Sequence, residues 1–180
     1  MNKDRKGLLH IYTGDGKGKT TASIGLAVRA AGSGLKVLFV QFFKEDKAAS
    51  GEKEIFRNHI KGIELIRSNV RHPFFTGSKT DEEGVRASVN ETFESAVKKA
   101  IEEDVDMLVL DEILGAVNGK WLDIDDLMAF LTERPVHMEV VLTGRDAPVE
   151  LVKCADYVTE MLAIKHPFEC GHKARKGIEF

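Results

Sequence analysis

Cysteine is scarce in this chain: Cys154 and Cys170 are the only two in 180 residues, and they form no CxxC pair. Both are expected to be reduced thiols, because no secretory leader stands before them. The start, Met1-Asn2-Lys3-Asp4-Arg5-Lys6, is charged and runs into no apolar segment of the signal-peptide kind. Long apolar runs are missing throughout, and none approaches the ~20 residues that span a bilayer. Nor does one sign of charge prevail. With 26 Lys and Arg against 29 Asp and Glu, the net charge is −3, which gives no electrostatic case for nucleic acid or an anionic membrane as partner. The expected compartment is the cytoplasm. Also absent is any recognisable acid–base machinery, either a His-Arg-Asp loop or a Ser-His-Asp or Cys-His set. Six histidines are scattered at His10, His59, His72, His137, His166 and His172. His166, Cys170 and His172 lie close together but without the paired spacing of a metal site. A hydrophobic share of 43% and a charged share of 31% describe an ordinary globular chain. Residues 1–180 are expected to form one domain, with residues 1–6 flexible and residues 165–180 a basic, glycine-punctuated tail.

What is present is concentrated in Thr13-Gly14-Asp15-Gly16-Lys17-Gly18-Lys19-Thr20-Thr21. The stretch follows the apolar residues Leu8, Leu9, Ile11 and Tyr12 and leads into an alanine-rich segment, Ala22 to Ala31. Strand, glycine-rich turn, Gly-Lys-Thr and helix together make a cradle for a nucleotide triphosphate. Gly14, Gly16 and Gly18 are expected to adopt positive φ and turn their N–H groups inward around an anion. The helix adds its unpaired N–H groups and the positive end of its dipole. Lys19 contributes a full charge, and the Thr20 hydroxyl can ligate Mg²⁺. Gly14 through Thr21 are therefore the candidate nucleotide-binding residues. The usual G-x-x-x-x-G-K-S/T pattern would place its first glycine on Thr13, where this chain departs from it.

Apolar runs and helical stretches alternate along the chain. Strands are expected at Leu35 to Phe43, Ile63 to Ile66, Met107 to Leu110, Met138 to Leu142 and Tyr157 to Ile164. Val85, Val89, Phe93, Val97 and Ile101 mark one stripe of a long helix from Asp81 to Glu103. Asp123 caps a further helix, Ile124 to Glu133, that Pro135 closes, and Val149 to Cys154 also reads as helical. The alternation predicts an α/β fold: a three-layer, P-loop NTPase-like (RecA-like) and mainly parallel sheet with helices on both faces. Lys44 to Lys53 and Ser68 to Lys79 read as long polar loops at the carboxyl edge, where open α/β sheets place ligands. Asp111 and Glu112 end an apolar strand, as carboxylates that hold Mg²⁺ opposite Thr20 would. Arg145, in Thr143-Gly144-Arg145 after the next strand, is placed to reach phosphate or a second substrate.

Five segments together resemble the ATP:corrinoid adenosyltransferase family over nearly the whole chain. They are Tyr12 to Thr21, Val40-Gln41-Phe42-Phe43-Lys44, Leu110-Asp111-Glu112, Leu142-Thr143-Gly144-Arg145, and the tail from Lys165-His166-Pro167-Phe168 to Gly171-His172-Lys173-Ala174-Arg175-Lys176-Gly177-Ile178-Glu179. The loop with Thr13 in place of the first glycine is what this family looks like. The resemblance implies that Co(I) of a reduced corrinoid attacks C5′ of ATP and releases triphosphate. The nucleophile is then the substrate's own metal, which accounts for the missing protein base. Lys19, Thr20 and Glu112 become the expected catalytic residues, with Mg²⁺ on Thr20, Asp111 and Glu112. The resemblance further implies a nucleotide bound in reverse, aromatic residues against the lower corrin face (here Phe74 and Phe75), a homodimer, and a flavodoxin-like reductant. A generic P-loop ATPase or small-molecule kinase, and a nucleotide-dependent regulatory module, are the alternatives from the residues alone.

Overall fold

The computed structural model describes residues 5–71, 81–167 and 171–178. The strands are β1 (Leu9–Thr13), β2 (Val37–Gln41), β3 (Ile63–Arg67), β4 (Met107–Asp111), β5 (Glu139–Thr143) and β6 (Tyr157–Glu160). The helices are α1 (Lys19–Gly32), α2 (Gly51–Asn58), α3 (Glu82–Glu102), α4 (Ile113–Asn118), α5 (Ile124–Glu133) and α6 (Val149–Cys154). All six strands join one sheet in the order β3-β2-β4-β5-β1-β6, and every pairing is parallel. The expected α/β architecture is therefore present, and the sheet is wholly rather than mainly parallel.

Parity along the strands builds the three layers. Val37, Phe39, Met107, Val109 and Val141 face one side and pack with Ala27 and Ala30 of α1 and Phe56 of α2. Their neighbours Leu38, Val40, Leu108, Leu110, Val140 and Leu142 face the other side, against α3, α4, α5 and Leu151 of α6. Central strands β2 and β4 are buried at every residue, as a strand covered by helices on both faces must be. Edge strand β6 is exposed at every residue. It is held by parallel pairing to β1, by the bond from the Leu9 N–H to Asp156 Oδ2 at 2.8 Å, and by His10 stacked on Tyr157 at 4.6 Å.

Several expected boundaries move for identifiable reasons. The α3 stripe holds at Val85, Val89 and Phe93, which are buried, but Ile101 is 49% exposed. A four-residue step overshoots the helical repeat by about 40°, so the stripe drifts outward and Ala96 and Ala100 take its place in the core. The irregular segment expected from Lys44 to Lys53 is cut short by α2, which begins at Gly51. Ser50 enters it in extended conformation, Glu52 and Glu54 lie in the first turn, and Phe56 is its one buried anchor. The sixth strand ends at Glu160 rather than Ile164, because Met161 turns away to bond the glycine loop (below). Asp123 caps α5 as expected, accepting from the Asp125 N–H at 3.0 Å.

Below the sheet, at the end opposite the glycine loop, the Glu139 carboxylate gathers the His10 ring at 2.5 Å, the Leu8 N–H at 3.2 Å and Arg5 at 3.4 Å. Burial works to raise its pKa, but His10, the Leu8 N–H and Arg5 together hold it below the usual carboxylate value. A depressed folded pKa contributes stability that is present above the unfolded value and is lost as pH falls through the folded one. Glu139→Gln should therefore cost about 1 kcal/mol near pH 7. Thermal melts of variant and parent should converge as pH drops below 4.5, the ordinary value of the group. A gap independent of pH would contradict the ion-paired role of Glu139.

Candidate active site

Each strand of the described sheet ends in a polar residue: in sheet order, Arg67, Gln41, Asp111, Thr143, Thr13 and Glu160. The register sets Arg67 beside Gln41 and Gln41 beside Asp111, and Thr143 bonds Asp111. By parity, Gln41, Asp111 and Thr143 continue the Val37–Phe39, Met107–Val109 and Val141 face, which is the face α1 covers. The polar row thus closes the core directly beneath the glycine loop and the first turn of α1.

The loop takes its shape from two glycines with positive φ and one that leaves room. Gly14 has φ +94° and Gly18 φ +124°, conformations that side chains rarely adopt. Gly16 does not share them. The expectation of positive φ at all three glycines is corrected there, since what Gly16 supplies is space. A Cβ on it would lie 2.7 Å from the carbonyl oxygens of both Met161 and Leu162. The reason is a seam between the loop and the exit of β6: the Gly16 N–H donates to Met161 O at 2.6 Å, and the Met161 N–H donates to Thr13 O at 2.8 Å. Thr13, where the usual pattern has glycine, is itself employed. Its hydroxyl accepts the Ala147 N–H at 3.2 Å and ties the loop to the segment after β5.

Inside the loop Lys19 is buried, and its ammonium donates to the carbonyls of Gly14 at 2.6 Å and Gly16 at 2.9 Å. Burial lowers its pKa and Arg145 adds to that, while Glu112, Asp15 and Asp111 oppose them. Asp15 through Thr21, together with Glu112, Arg145, His166 and Ile178, line a cleft of about 260 Å³ over the loop. Arg145 reaches across its mouth to Asp15 at 3.6 Å. Both side chains are largely exposed, so the pair itself adds little stability, but it leaves a guanidinium facing the cleft. The Asn118 amide holds that turn by donating to the carbonyls of Arg145 and Asp146, both at 3.0 Å.

Asp111 lies under this cleft and is not among its lining residues. Burial pushes its pKa up to about 6, the neighbouring Glu112 adds to that, and hydrogen bonds from Thr143, Thr20 and Gln41 counter both. Thr143 donates at 2.7 Å and Gln41 at 3.4 Å. Glu112 follows in left-handed conformation, φ +65°, uncommon for a residue with a side chain. Its N–H is held by the Thr143 hydroxyl at 2.9 Å, and the twist brings it to the cleft wall while Asp111 stays below. The Thr20 hydroxyl oxygen and the carboxylate oxygens of Glu112 and Asp111 are hard ligands of the kind Mg²⁺ takes.

A second compartment of about 360 Å³ adjoins the first and shares Thr20, Thr21 and Ile178 with it. Ile24 and Val28 of α1 and Ile55 and Phe56 of α2 line it, together with the charged Lys44 and Glu52. The tail folds back so that His166 and Ile178 border the loop cleft, and Lys17, His172, Lys173 and Arg175 border a neighbouring cavity. Of the expected site residues, Gly16, Lys17, Gly18, Lys19, Thr20, Thr21, Asp15, Glu112 and Arg145 thus meet at one cleft, with Gly14 beneath Lys19 and Asp111 behind Thr20. Phe74 and Phe75 lie outside the described residues. Gln41, Arg67, Asn118 and Met161 were not among the expected site residues, although Gln41 stands in one of the segments that carry the family resemblance.

Strand order and loop together define the α/β, P-loop NTPase-like class. A solved structure with this fold, flagellar accessory protein FlaH of Methanocaldococcus jannaschii, aligns with a TM-score of 0.56 over 87% of this chain and 71% of that one. At 14% identity the likeness concerns the fold alone. The family model for ATP:corrinoid adenosyltransferase BtuR/CobO/CobP matches residues 5–180, and the chain belongs to that family. It is 36% identical to the corrinoid adenosyltransferase of Pseudomonas aeruginosa over 99% of this chain and 86% of that protein. It is 35% identical to the corrinoid adenosyltransferase of Escherichia coli K12 over 99% of this chain and 88% of that one.

Gly16→Ala tests the loop seam. The added methyl meets two carbonyl oxygens at 2.7 Å, so ATP affinity should fall at least about tenfold while the far-ultraviolet spectrum stays native. Unchanged ATP affinity would show that the β6 exit does not shape the loop.

Proposed function

We propose that this chain transfers the 5′-deoxyadenosyl group of ATP to Co(I) of a reduced corrinoid, releasing triphosphate. The observation that carries the reading is the pair of adjoining compartments, one polar and cationic around Lys19 and one walled by Ile24, Val28, Ile55 and Phe56. The first holds the triphosphate and the second the adenosyl end, with C5′ near the shared Thr20 and Thr21. In the reaction, the cobalt electron pair forms the bond to C5′ as the bond from C5′ to the α-phosphate oxygen breaks. The electrons of that bond leave with the triphosphate. No proton is abstracted, so no protein base is required.

The protein's work is positioning and stabilisation of leaving-group charge. Lys19 exchanges its loop carbonyls for phosphate oxygens, the loop N–H groups and the start of α1 add donors, and Arg145 closes over the outer end. Mg²⁺ would be held by Thr20 and Glu112, with Asp111 behind Thr20, and when bound it neutralises charge on the triphosphate. Preference for a corrinoid lacking a lower axial ligand, with Phe74 and Phe75 against it, belongs to the same reading. So do a homodimer, a flavodoxin-like electron donor and a cytoplasmic location. All but the location rest on family membership.

A kinase or a simple ATPase built on this loop would need the γ-phosphate presented to an acceptor. The adenosyltransfer reading instead separates the two ends of ATP. Ile24→Arg, which fills the second compartment, should raise the KM for ATP at least about tenfold. Inhibition by inorganic tripolyphosphate, which needs only the loop, should stay within twofold. Equal losses for both ligands would contradict the assignment of the two compartments.

A further inference from the structure

The buried side chains Gln41 and Arg67, at the ends of the adjacent strands β2 and β3, have no part in the reaction as described. Gln41 is fully buried and Arg67 is 6% exposed. A guanidinium in the core is costly unless every N–H finds an acceptor. Here they do. Nε donates to Gln41 Oε1 at 2.9 Å, one terminal nitrogen donates to the carbonyls of Glu45 at 3.3 Å and Ala48 at 2.9 Å, and the other donates to the Ser50 hydroxyl and lies 3.7 Å from Glu52. Burial lowers the Arg67 pKa, with Glu52 and Asp46 opposing it.

Arginine has donors only, so it settles which way the Gln41 amide faces. With Oε1 turned to Arg67, the NH₂ group must turn the other way. There it meets two carboxylates, Asp111 Oδ2 at 3.4 Å and Glu52 Oε1 at 3.3 Å. Asp111 stands behind Thr20 at the loop cleft, and Glu52 lines the second compartment. The same guanidinium also pins the 45–50 segment that leads into α2, the wall of that compartment.

We propose that Arg67 and Gln41 are positioning residues. Arg67 orients the Gln41 amide, and Gln41 holds Asp111 against Thr20 and, through Glu52, the first turn of α2, so that the metal edge of the triphosphate cleft and the wall of the adenosyl compartment are set by one buried pair. The inference rests on the reading that Thr20, Asp111 and Glu112 form the metal edge. Lysine cannot replace Arg67, because an ammonium cannot fork to Gln41 and to the 45–50 carbonyls at once. Nor can leucine replace Gln41, since it fills the volume but leaves Asp111 without that donor.

The test is ATP binding by calorimetry on the full chain, once with Mg²⁺ and once with EDTA. The parent should bind ATP more tightly with Mg²⁺. Gln41→Leu and Arg67→Lys should each lose about tenfold of that Mg²⁺-dependent gain, and the loss in EDTA, which reports the adenosyl wall alone, should be smaller than the loss with Mg²⁺. Turnover should show kcat falling at least about tenfold and the corrinoid KM holding within about twofold. Ser50→Ala, which leaves the Gln41 contact in place, should keep the Mg²⁺ gain. If the parent gains and both variants keep the gain, or if both variants lose affinity equally with and without Mg²⁺, the positioning role is overturned. A parent with no Mg²⁺ gain would instead overturn the metal-edge reading itself. Arg67→Lys retains the buried charge, so a folded variant is available for measurement should Gln41→Leu prove too unstable.

Discussion

The Asp111 carboxylate, buried at the end of the central strand β4, is the group that the site is arranged around. A carboxylate with almost no water contact has to be met by donors, and three different elements supply them: Thr143 from β5, Gln41 from β2 and Thr20 from the start of α1. Satisfying this one group fixes how β4 and β5 end relative to one another and where α1 begins. It also fixes Thr143, which in turn holds the Glu112 N–H and the left-handed turn that lifts Glu112 to the cleft. The opposing pressures of burial and donation place its pKa at about 6.

Much of this is legible in residue order, because it follows from strand parity and local turn chemistry. The alternation of runs predicts strands and helices; the helix at Ile124–Glu133 falls where the Asp123 cap and Pro135 put it, and Val149–Cys154 is helical as expected. Gly14 to Thr21, Asp111, Glu112 and Arg145 could be picked out because each sits just past an apolar run, at the strand ends where ligands collect. Parity reaches further. Gln41 lies two residues beyond Phe39, as Asp111 lies two beyond Val109, so both had to point at α1.

What residue order does not carry is partnership at long range. Arg67 reads as an ordinary charge after a short strand until β3 is known to lie beside β2. Only then does its buried guanidinium meet Gln41, 26 positions away. Met161 reads as the middle of a strand. Its real task, backing the glycine loop, depends on β6 pairing with β1 and ending there. The assignment of positive φ to Gly16 failed for the same reason, since its constraint comes from Met161 and Leu162 rather than from its own turn. Helix α2 was hidden because it is short and anchored by a single apolar side chain, Phe56.

On the reading proposed above, the cleft around Lys19 holds the polyphosphate and the adjoining space, walled in part by Ile24, Val28, Ile55 and Phe56, takes the other end of the nucleotide. In that arrangement the familiar phosphate loop serves to hold a departing group, and the bond that breaks lies at the far end of the nucleotide from the γ-phosphate. Phosphorus NMR of the products after anaerobic turnover with ATP, Mg²⁺ and a Co(I) corrinoid addresses this directly. The account predicts intact inorganic triphosphate in one-to-one yield with light-sensitive adenosylcorrinoid. ADP and phosphate with an unchanged corrinoid spectrum would contradict it.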